Sequence, residues 1–562
     1  MNPESRQVYI RRRQDRFRTA PIDGRALKFM IDAGLTWLRT NQETVNALNV
    51  YPVPDGDTGI NMVLTMQAAY DEIADSPERN FGRMIHQVAH GALMGARGNS
   101  GVILSQIWRG LARGSDEIEV LDGPALVAAF LEARDTAYQG VVRPVEGTIL
   151  TVAKDIASVA EATLEETEDA IAILERVVKE ADESVERTPE LLDVLKKAGV
   201  VDAGGKGLFY ILEGMLRYIN GQPLDTPLAT VQPLSKMVLE DTLDTIEPGQ
   251  DVEVVVDFRP HSTLDLRKFY SELEEMGTSI QVGEGDGLYR MHIHVEEERT
   301  YDPINYINSI GTWTKVSLEN LEEQMEEIER QSRASAINLS PVEPGEIAVV
   351  AVSPGQGISR VFASLHVAAI VEGGQTMNPS TEDILDAFED LPTNKVIILP
   401  NNKNIIMAAK SATELTVKEA VVIPTRTIPQ GLAAMFRYLP HGDFDEVVAE
   451  MNSALDDVDT GEITTAIRSV EVDGVKVNEG ETIALFNGKL VSSANSLEEA
   501  CRSLIETADV SQYELITLFY GADITKQDGN KIADAIRADH PHLEVELQDG
   551  GQPHYQLILS FE

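Results

Sequence analysis

The sequence predicts a multidomain α and α/β protein, with an all-α N-terminal region, a small α+β middle region and a C-terminal α/β region. Residues 22–220 run through one helix-periodic apolar segment after another and show almost no strand-like alternation. From residue 251 the texture changes to short β-branched runs. Residues 346–425 then alternate strand-like with helix-like segments, the pattern of a parallel sheet.

Residues 1–20 hold Arg11, Arg12, Arg13, Arg16 and Arg18 and read as a flexible basic arm. No apolar run follows these arginines, so the pattern is not that of a signal peptide. The helical region spans 21–221. Its first helix, Ile22 to Leu38, places Ala26, Leu27, Met30, Ile31, Gly34 and Leu35 on one face. Pro124 and Pro189 suit the first position of a helix, and Gly140, Gly199 and Gly221 suit helix ends. The acidic stretch from Glu161 to Glu186 reads as a solvated helix face.

Residues 222–250, rich in Pro, Thr and Asp, form a linker. The middle region, 251–334, offers strands at Asp251–Phe258, Ser279–Val282 and Tyr289–Val295, and helices at Leu264–Met276 and Ser317–Arg333. A second linker, 335–345, leads into the C-terminal region, 346–562. Strands are expected there at Ile347–Ser353, Ala368–Glu372, Lys395–Leu399 and Ala420–Pro424. Ser353-Pro-Gly-Gln-Gly-Ile sits on the first strand-to-helix turn and reads as a tight turn. Val472-Asp-Gly and Phe486-Asn-Gly carry hairpin chemistry.

The net charge of −45 argues against general binding to nucleic acid or to anionic membrane surfaces. No apolar run approaches the length of a membrane span. Cys501 is the single cysteine, which excludes an intramolecular disulfide and fits a reducing, cytoplasmic setting.

Three glycine-rich loops carry the chemistry. In Pro52-Val-Pro-Asp-Gly-Asp-Thr-Gly-Ile-Asn-Met, Asp55 and Asp57 lie two residues apart just before a helix. Two carboxylates beside helix-start amides suit Mg²⁺ carrying a polyphosphate, since Mg²⁺ is held by one or two carboxylates plus water and phosphate. In Gly95-Ala-Arg-Gly-Asn-Ser-Gly, the glycines at 95, 98 and 101 surround Arg97, Asn99 and Ser100 at a second helix start. Val201-Asp-Ala-Gly-Gly-Lys-Gly places Asp202 in a third. None has the Walker pattern.

The order DGDTGIN, GARGNSG, RPVEGT and VDAGGKG resembles the L-type nucleotide-binding domain of dihydroxyacetone kinases, and more closely the FakA-like fatty acid kinase family. Leu399-Pro-Asn-Asn-Lys-Asn-Ile-Ile-Met and the terminal Gly550-Gly-Gln-Pro-His-Tyr-Gln-Leu-Ile-Leu-Ser-Phe-Glu are also similar to that family. The resemblance implies a helical barrel of the dihydroxyacetone kinase L type, with nucleotide held by loops at one end. It also implies a DegV-like C-terminal domain and a role in phospholipid synthesis. The implied reaction is ATP- and Mg²⁺-dependent phosphorylation of a fatty acid to acyl phosphate. A separate fatty-acid-binding DegV-family carrier protein would present the acid, and the enzyme would be a homodimer.

In that frame Asp55 and Asp57 are catalytic residues that hold Mg²⁺, with Asn49 as a neutral oxygen where other kinases of this type carry a further upstream acid. Asn61 reaches a phosphate oxygen, and Gly98, Asn99, Ser100 and Gly101 cradle the phosphates. Thr148, Asp202 and Gly204 close the nucleotide pocket, and Arg97 is either a charge neutraliser or a surface ion pair. His292 and His294, at i and i+2 on a strand, share a face. They would ligate Zn²⁺ or, through a catalytic His294, present substrate; a solvated strand face is the alternative. The family resemblance places a cysteine beside these histidines in some members, where this chain offers only Glu253 and Asp257. Two other readings stay open: a small-hydroxyketone kinase, and a nucleotide-binding scaffold without turnover.

Overall fold

The computed structural model describes residues 21–50, 56–222 except 142, 224, 232–233, and 252–320 except 263, 265–267, 270–271, 274–275, 286–287 and 297–298. It further describes residues 337–562 except 338, 376, 467–469 and 473–474. The basic arm, most of the first linker and Asp55 lie outside the described residues. Two compact units emerge: residues 1–225 together with 338–562, and residues 226–337.

The first unit opens with helices α1 (Gly24–Thr40), α2 (Gln42–Leu48), α3 (Thr58–Ala74), α4 (Phe81–Met94) and α5 (Gly98–Arg113). They continue with α6 (Gly123–Gln139), α7 (Ile149–Leu164), α8 (Ala170–Leu191), α9 (Asp193–Ala198) and α10 (Ala203–Ile219). Packing runs from α3 through α8 in chain order, then from α8 to α10, from α10 to α1 and from α1 back to α3, closing a ring. Leu38, Met62, Met66, Ile73, Met84 and Leu104 fill its core without exposure. Burial of such side chains, at about 25 cal/mol per Å² of apolar surface, holds the ring together.

Asp23, Asn80, Asp122 and Asp169 cap helix starts with their side chains, as short polar residues do where four amides lack partners. Pro124 occupies the opening of α6, and Gly199 ends α9 at φ +67°. Pro189 differs from expectation and lies inside α8. A proline there leaves the carbonyl of Val185 without its helical donor, and the Thr188 hydroxyl donates to that carbonyl at 2.6 Å instead.

In the C-terminal part of this unit, β1 (Ile347–Ser353), β2 (Ala369–Glu372), β3 (Lys395–Leu399) and β4 (Glu419–Val422) form a parallel sheet in the order β2-β1-β3-β4. Helices α11 (Gln356–Ser364), α12 (Thr381–Glu389), α13 (Ile406–Leu415), α14 (Ile428–Phe436) and α15 (Phe444–Ser453) connect and follow these strands. Every residue of β1 is buried, as expected of a central parallel strand covered on both faces. A second sheet, largely antiparallel, is built from residues 459–561. Asn487 and Gly488, both at positive φ, form the hairpin turn between its strands Thr482–Phe486 and Lys489–Ala494. At the first strand-to-helix turn, a Cβ on Gly357 would stand 1.9 Å from the Asp549 carbonyl oxygen. The Gly-Gln-Gly turn therefore serves close packing against the terminal glycine loop.

The second unit is a five-stranded sheet in which Val252–Pro260 lies between Leu288–Val295 and Gly311–Asn320, antiparallel to both. Residues 317–320, expected to begin a helix, instead end the strand Gly311–Asn320. Ladder pairing with Val252–Val255 overrides their local preference. The rest of that expected helix, and much of the one at 264–276, lies outside the described residues.

Candidate active site

Asp57 sits immediately before α3 in a backbone bend that Gly56 opens at φ +72°. Its carboxylate does not cap α3; the Asn46 side-chain oxygen does, accepting from the Gly59 N–H at 2.8 Å and the Ile60 N–H at 3.3 Å. The free amides expected at this helix start are therefore already engaged. Asp57 is only 5 % exposed. Its Oδ2 accepts from Asn378 Nδ2 at 2.7 Å, and its Oδ1 lies 3.5 Å from Asn49 Nδ2. Asn49 thus offers Asp57 its amide nitrogen, and Asn378 arrives from the C-terminal part of the chain.

The start of α5 lies alongside. Gly98 takes φ +58°, and a Cβ there would stand 2.7 Å from Nδ2 of the buried Asn61. Gly101 packs on Thr65, where a Cβ would fall 2.3 Å from the hydroxyl oxygen, and Ser100 is half-buried. Arg97 is the N-cap residue, but its side chain does not cap. Its guanidinium donates to the Asn378 carbonyl oxygen at 3.0 Å and pairs with Asp383 at 3.3 Å. Asn99 Nδ2 donates to Asn404 Oδ1 at 3.1 Å, and the Thr381 N–H donates to the Ala96 carbonyl at 3.3 Å.

Two further helix starts complete this end of the ring. Thr148 caps α7, accepting from Leu150 N–H at 3.4 Å while its hydroxyl donates to the Val145 carbonyl at 2.7 Å. Asp202 caps α10 through the Gly205 N–H at 2.7 Å. Burial pushes the Asp202 carboxyl up to about 6, against the lowering effect of backbone hydrogen bonds from Gly205 and Ile149. Asp202 thereby ties the start of α10 to the start of α7, and Gly204 lies between the Asp202 carboxylate and Ile149. Gly207, one turn into α10, packs on Met62 of α3. Of these four helix starts, α5 is the one without a side-chain acceptor for its opening amides among the described residues.

The structure thus brings Asn49, Asp57, Asn61 and Gly98–Gly101 together, and places Thr148, Asp202 and Gly204 at neighbouring helix starts as structural caps. Sequence reasoning missed Asn46, Asn378 and Asn404. Asn46 could have been found from its place one loop before α3. Nothing in the local sequence links Asn378 to a residue 321 positions earlier.

Residues able to hold a metal occur in both units. The Asp57 pocket is small, polar and lined by carboxylate and amide groups, and Asn378 Oδ1 is buried there with no hydrogen-bond partner. That donor set suits Mg²⁺, a hard cation served by oxygen ligands. In the second unit, Glu253, His292 and His294 place one ligand atom each within 4.8 Å of one another. His292 Nε2 stands 3.2 Å from Glu253 Oε1, the two imidazoles meet edge to face at 4.8 Å, and Nδ1 of each is buried without a partner. Two imidazoles and a carboxylate are a ligand set used for Zn²⁺. Asp257, the other nearby acid, is instead taken by a two-pronged contact from Arg290 at 2.6 and 2.8 Å.

Burial, with His294 adding to it, pushes the His292 imidazole down to about 4; burial lowers His294 as well. A folded-state value below the ordinary 6.5 means the unfolded chain binds the proton first. The contribution to stability is full above pH 6.5 and is lost as pH falls toward 4. Thermal unfolding of this unit in metal-free buffer is expected to shift downward across that window, by on the order of 3 kcal/mol in stability. A melting temperature flat between pH 7 and 4 would contradict the buried neutral imidazole.

The chain is 37 % identical over 551 residues to an uncharacterized protein of Staphylococcus haemolyticus, covering 96 % of this chain and 99 % of that one. An uncharacterized protein of Staphylococcus aureus strain USA300 is 37 % identical over 548 residues, with the same coverage. Family models match in order along the chain: a DAK2 domain at 52–217, the middle domain of FakA-like fatty acid kinases at 247–328, and their C-terminal domain at 348–562. The chain belongs to the FakA-like fatty acid kinase family. Within it, the DAK2 match contains every N-terminal candidate residue except Asn49, the middle match contains Glu253, His292 and His294, and the C-terminal match contains Asn378.

Among solved structures, the dihydroxyacetone kinase of C. freundii in complex with AMP-PNP and Mg²⁺ covers 35 % of each chain at 16 % identity and a TM-score of 0.28. A DegV family protein from Thermus thermophilus, described as binding fatty acid, covers 39 % of this chain and 99 % of that one at 12 % identity and a TM-score of 0.30. No helix of the described residues is long and apolar enough to cross a membrane.

Proposed function

We propose that this FakA-like chain is an ATP- and Mg²⁺-dependent phosphotransferase whose acceptor is a fatty-acid carboxylate held by a separate DegV-family carrier. The observation that carries the reading is the uncapped start of α5 beside the buried Asp57 carboxylate. Opening amides and the positive end of the helix dipole attract phosphate, and glycines at 98 and 101 keep that approach narrow. Asp57, with Asp55, would hold Mg²⁺, and Asn49 and Asn61 would line the same pocket. Bound Mg²⁺ neutralises charge on the transferring phosphoryl group. Asn99 and Ser100 orient the phosphates, and Asp202 with Thr148 fixes the neighbouring helix starts.

A carboxylate acceptor is ionised at neutral pH and needs no general base. The candidate loops offer no such base, which supports acyl phosphate as the product over phosphorylation of a hydroxyl. The same reading gives the second unit a divalent metal on His292, His294 and Glu253. It also includes a homodimer, supported by the strand Gly311–Asn320, an edge of its sheet among the described residues, with Trp313 48 % and Leu318 42 % exposed.

The test is ADP release from Mg-ATP by the purified chain, with fatty-acid-loaded carrier in one arm and dihydroxyacetone in the other. Turnover with the loaded carrier alone is expected. Turnover with the triose would move the activity to the hydroxyketone class, and ATP binding without either would leave a nucleotide-binding scaffold.

A further inference from the structure

Asn378 stands in the segment between β2 and α12 and is 2 % exposed. One residue makes two contacts with the candidate kinase site: its side-chain amide donates to Asp57 at 2.7 Å and its carbonyl oxygen accepts from Arg97 at 3.0 Å. We propose that Asn378 is a positioning residue of that site, orienting the Asp57 carboxylate for a divalent cation, so that the C-terminal region completes the kinase site in cis. The proposal rests on the kinase reading above.

The segment carrying Asn378 is held firmly. Ser380 and Asp383 form a reciprocal capping box at the start of α12, with hydrogen bonds of 3.0 and 2.7 Å. Asp383 also reaches Arg97, and the Thr381 N–H is tied to the Ala96 carbonyl. Opposite, Gly98 leaves room: a Cβ there would lie 3.5 Å from Asn378 Nδ2. The position is thus fixed from both sides, as a group that sets ligand geometry requires.

Chemistry favours an amide at this place. Metal-binding carboxylates are themselves hydrogen-bonded by neighbouring groups, which fix their orientation. A lysine or arginine in contact with Asp57 would cancel the charge that attracts Mg²⁺. The asparagine N–H holds one carboxylate oxygen and leaves the negative charge intact. Its own Oδ1 is buried without a partner, a costly state for an amide oxygen unless a cation or its bound water satisfies it. Holding the two regions together does not require this residue, because Arg97–Asp383 and Asn99–Asn404 already bridge them.

The experiment is Mn²⁺ titration of the full chain with ADP, followed by electron paramagnetic resonance, alongside Mg-ATP turnover with loaded carrier. Asn378→Ala should weaken Mn²⁺ binding by about tenfold or more, the usual effect of losing such a partner. It should lower kcat while leaving KM for the carrier unchanged. Asp383→Asn, which loosens the bridge without touching Asp57, should keep Mn²⁺ affinity within about twofold. Should Asn378→Ala fail to fold, Asn378→Asp adds charge at the same place; it is expected to lower the metal-free Tm and enlarge the rise on adding Mn²⁺. Mn²⁺ binding that is unchanged or tighter in Asn378→Ala, or an unchanged Mn²⁺ response in Asn378→Asp, overturns the assignment. Loss of Mn²⁺ binding in Asn378→Ala, where the wild type shows no carrier-dependent turnover, would keep Asn378 and discard the acyl acceptor. Carrier-dependent turnover with Mn²⁺ binding indifferent to Asn378 would do the reverse.

Discussion

Asp57→Ala is expected to lower kcat for phosphoryl transfer by roughly 10³-fold or more, the scale of losing a principal charge-stabilising group. The helical fold should survive. The carboxylate does not cap α3, since Asn46 does, so its removal costs no helix start. The loss falls instead on Asn378 Nδ2, which is left without its acceptor in a buried setting, at about 1–3 kcal/mol. Asp57→Asn keeps the shape of that contact and should be as inactive with a smaller fall in Tm. Stopped-time ADP assays and far-ultraviolet circular dichroism on both variants separate the two effects. Wild-type turnover in either would remove Asp57 from the metal site.

Gly98→Ala should be nearly as damaging by a different route. The residue takes φ +58°, a conformation that costs an L side chain roughly 1–2 kcal/mol. The new methyl would also press on Asn61 Nδ2, which has little room to retreat because Asn61 is buried. The opening turn of α5 would shift, and with it the amides proposed to meet phosphate. Nucleotide affinity measured by calorimetry is expected to fall at least about tenfold, with a Tm several degrees lower. Gly199→Ala is a useful comparison: its φ of +67° carries similar strain, but no atom lies within 4 Å of the added methyl. It should lose stability and keep nucleotide affinity.

Much of this architecture was legible in the sequence because it is written in local patterns. The parallel strands at 347–353 and 395–399 lie where the β-branched runs placed them, and the helices from Gly24 to Ile219 follow apolar periodicity and their polar caps. The failures are instructive. Pro189 reads as a helix start, yet Thr188 supplies the missing donor and α8 runs through it. Residues 317–320 read as helical, yet the ladder with Val252–Val255 makes them strand. In the site, Asp57 and Gly98 announce themselves by composition. What occupies the amides of α3, and what holds Asp57, depends on side chains brought in by tertiary packing. Asn46 and Asn378 are ordinary asparagines until the fold places them.

The discontinuity of the first unit also bears on its biosynthesis. Asp57 leaves the ribosome 321 residues before the asparagine that binds it. At typical elongation rates of about 5–20 residues per second, that interval lasts roughly 15–65 s. Throughout it the helical ring stands with the start of α5 uncovered, while the whole second unit is being made. A nascent chain truncated before residue 378 would therefore display the nucleotide loops without their lasting neighbour. Ribosome-bound intermediates of increasing length should show protection of Gly98–Gly101 from hydrogen exchange arriving late, only after the parallel sheet has emerged.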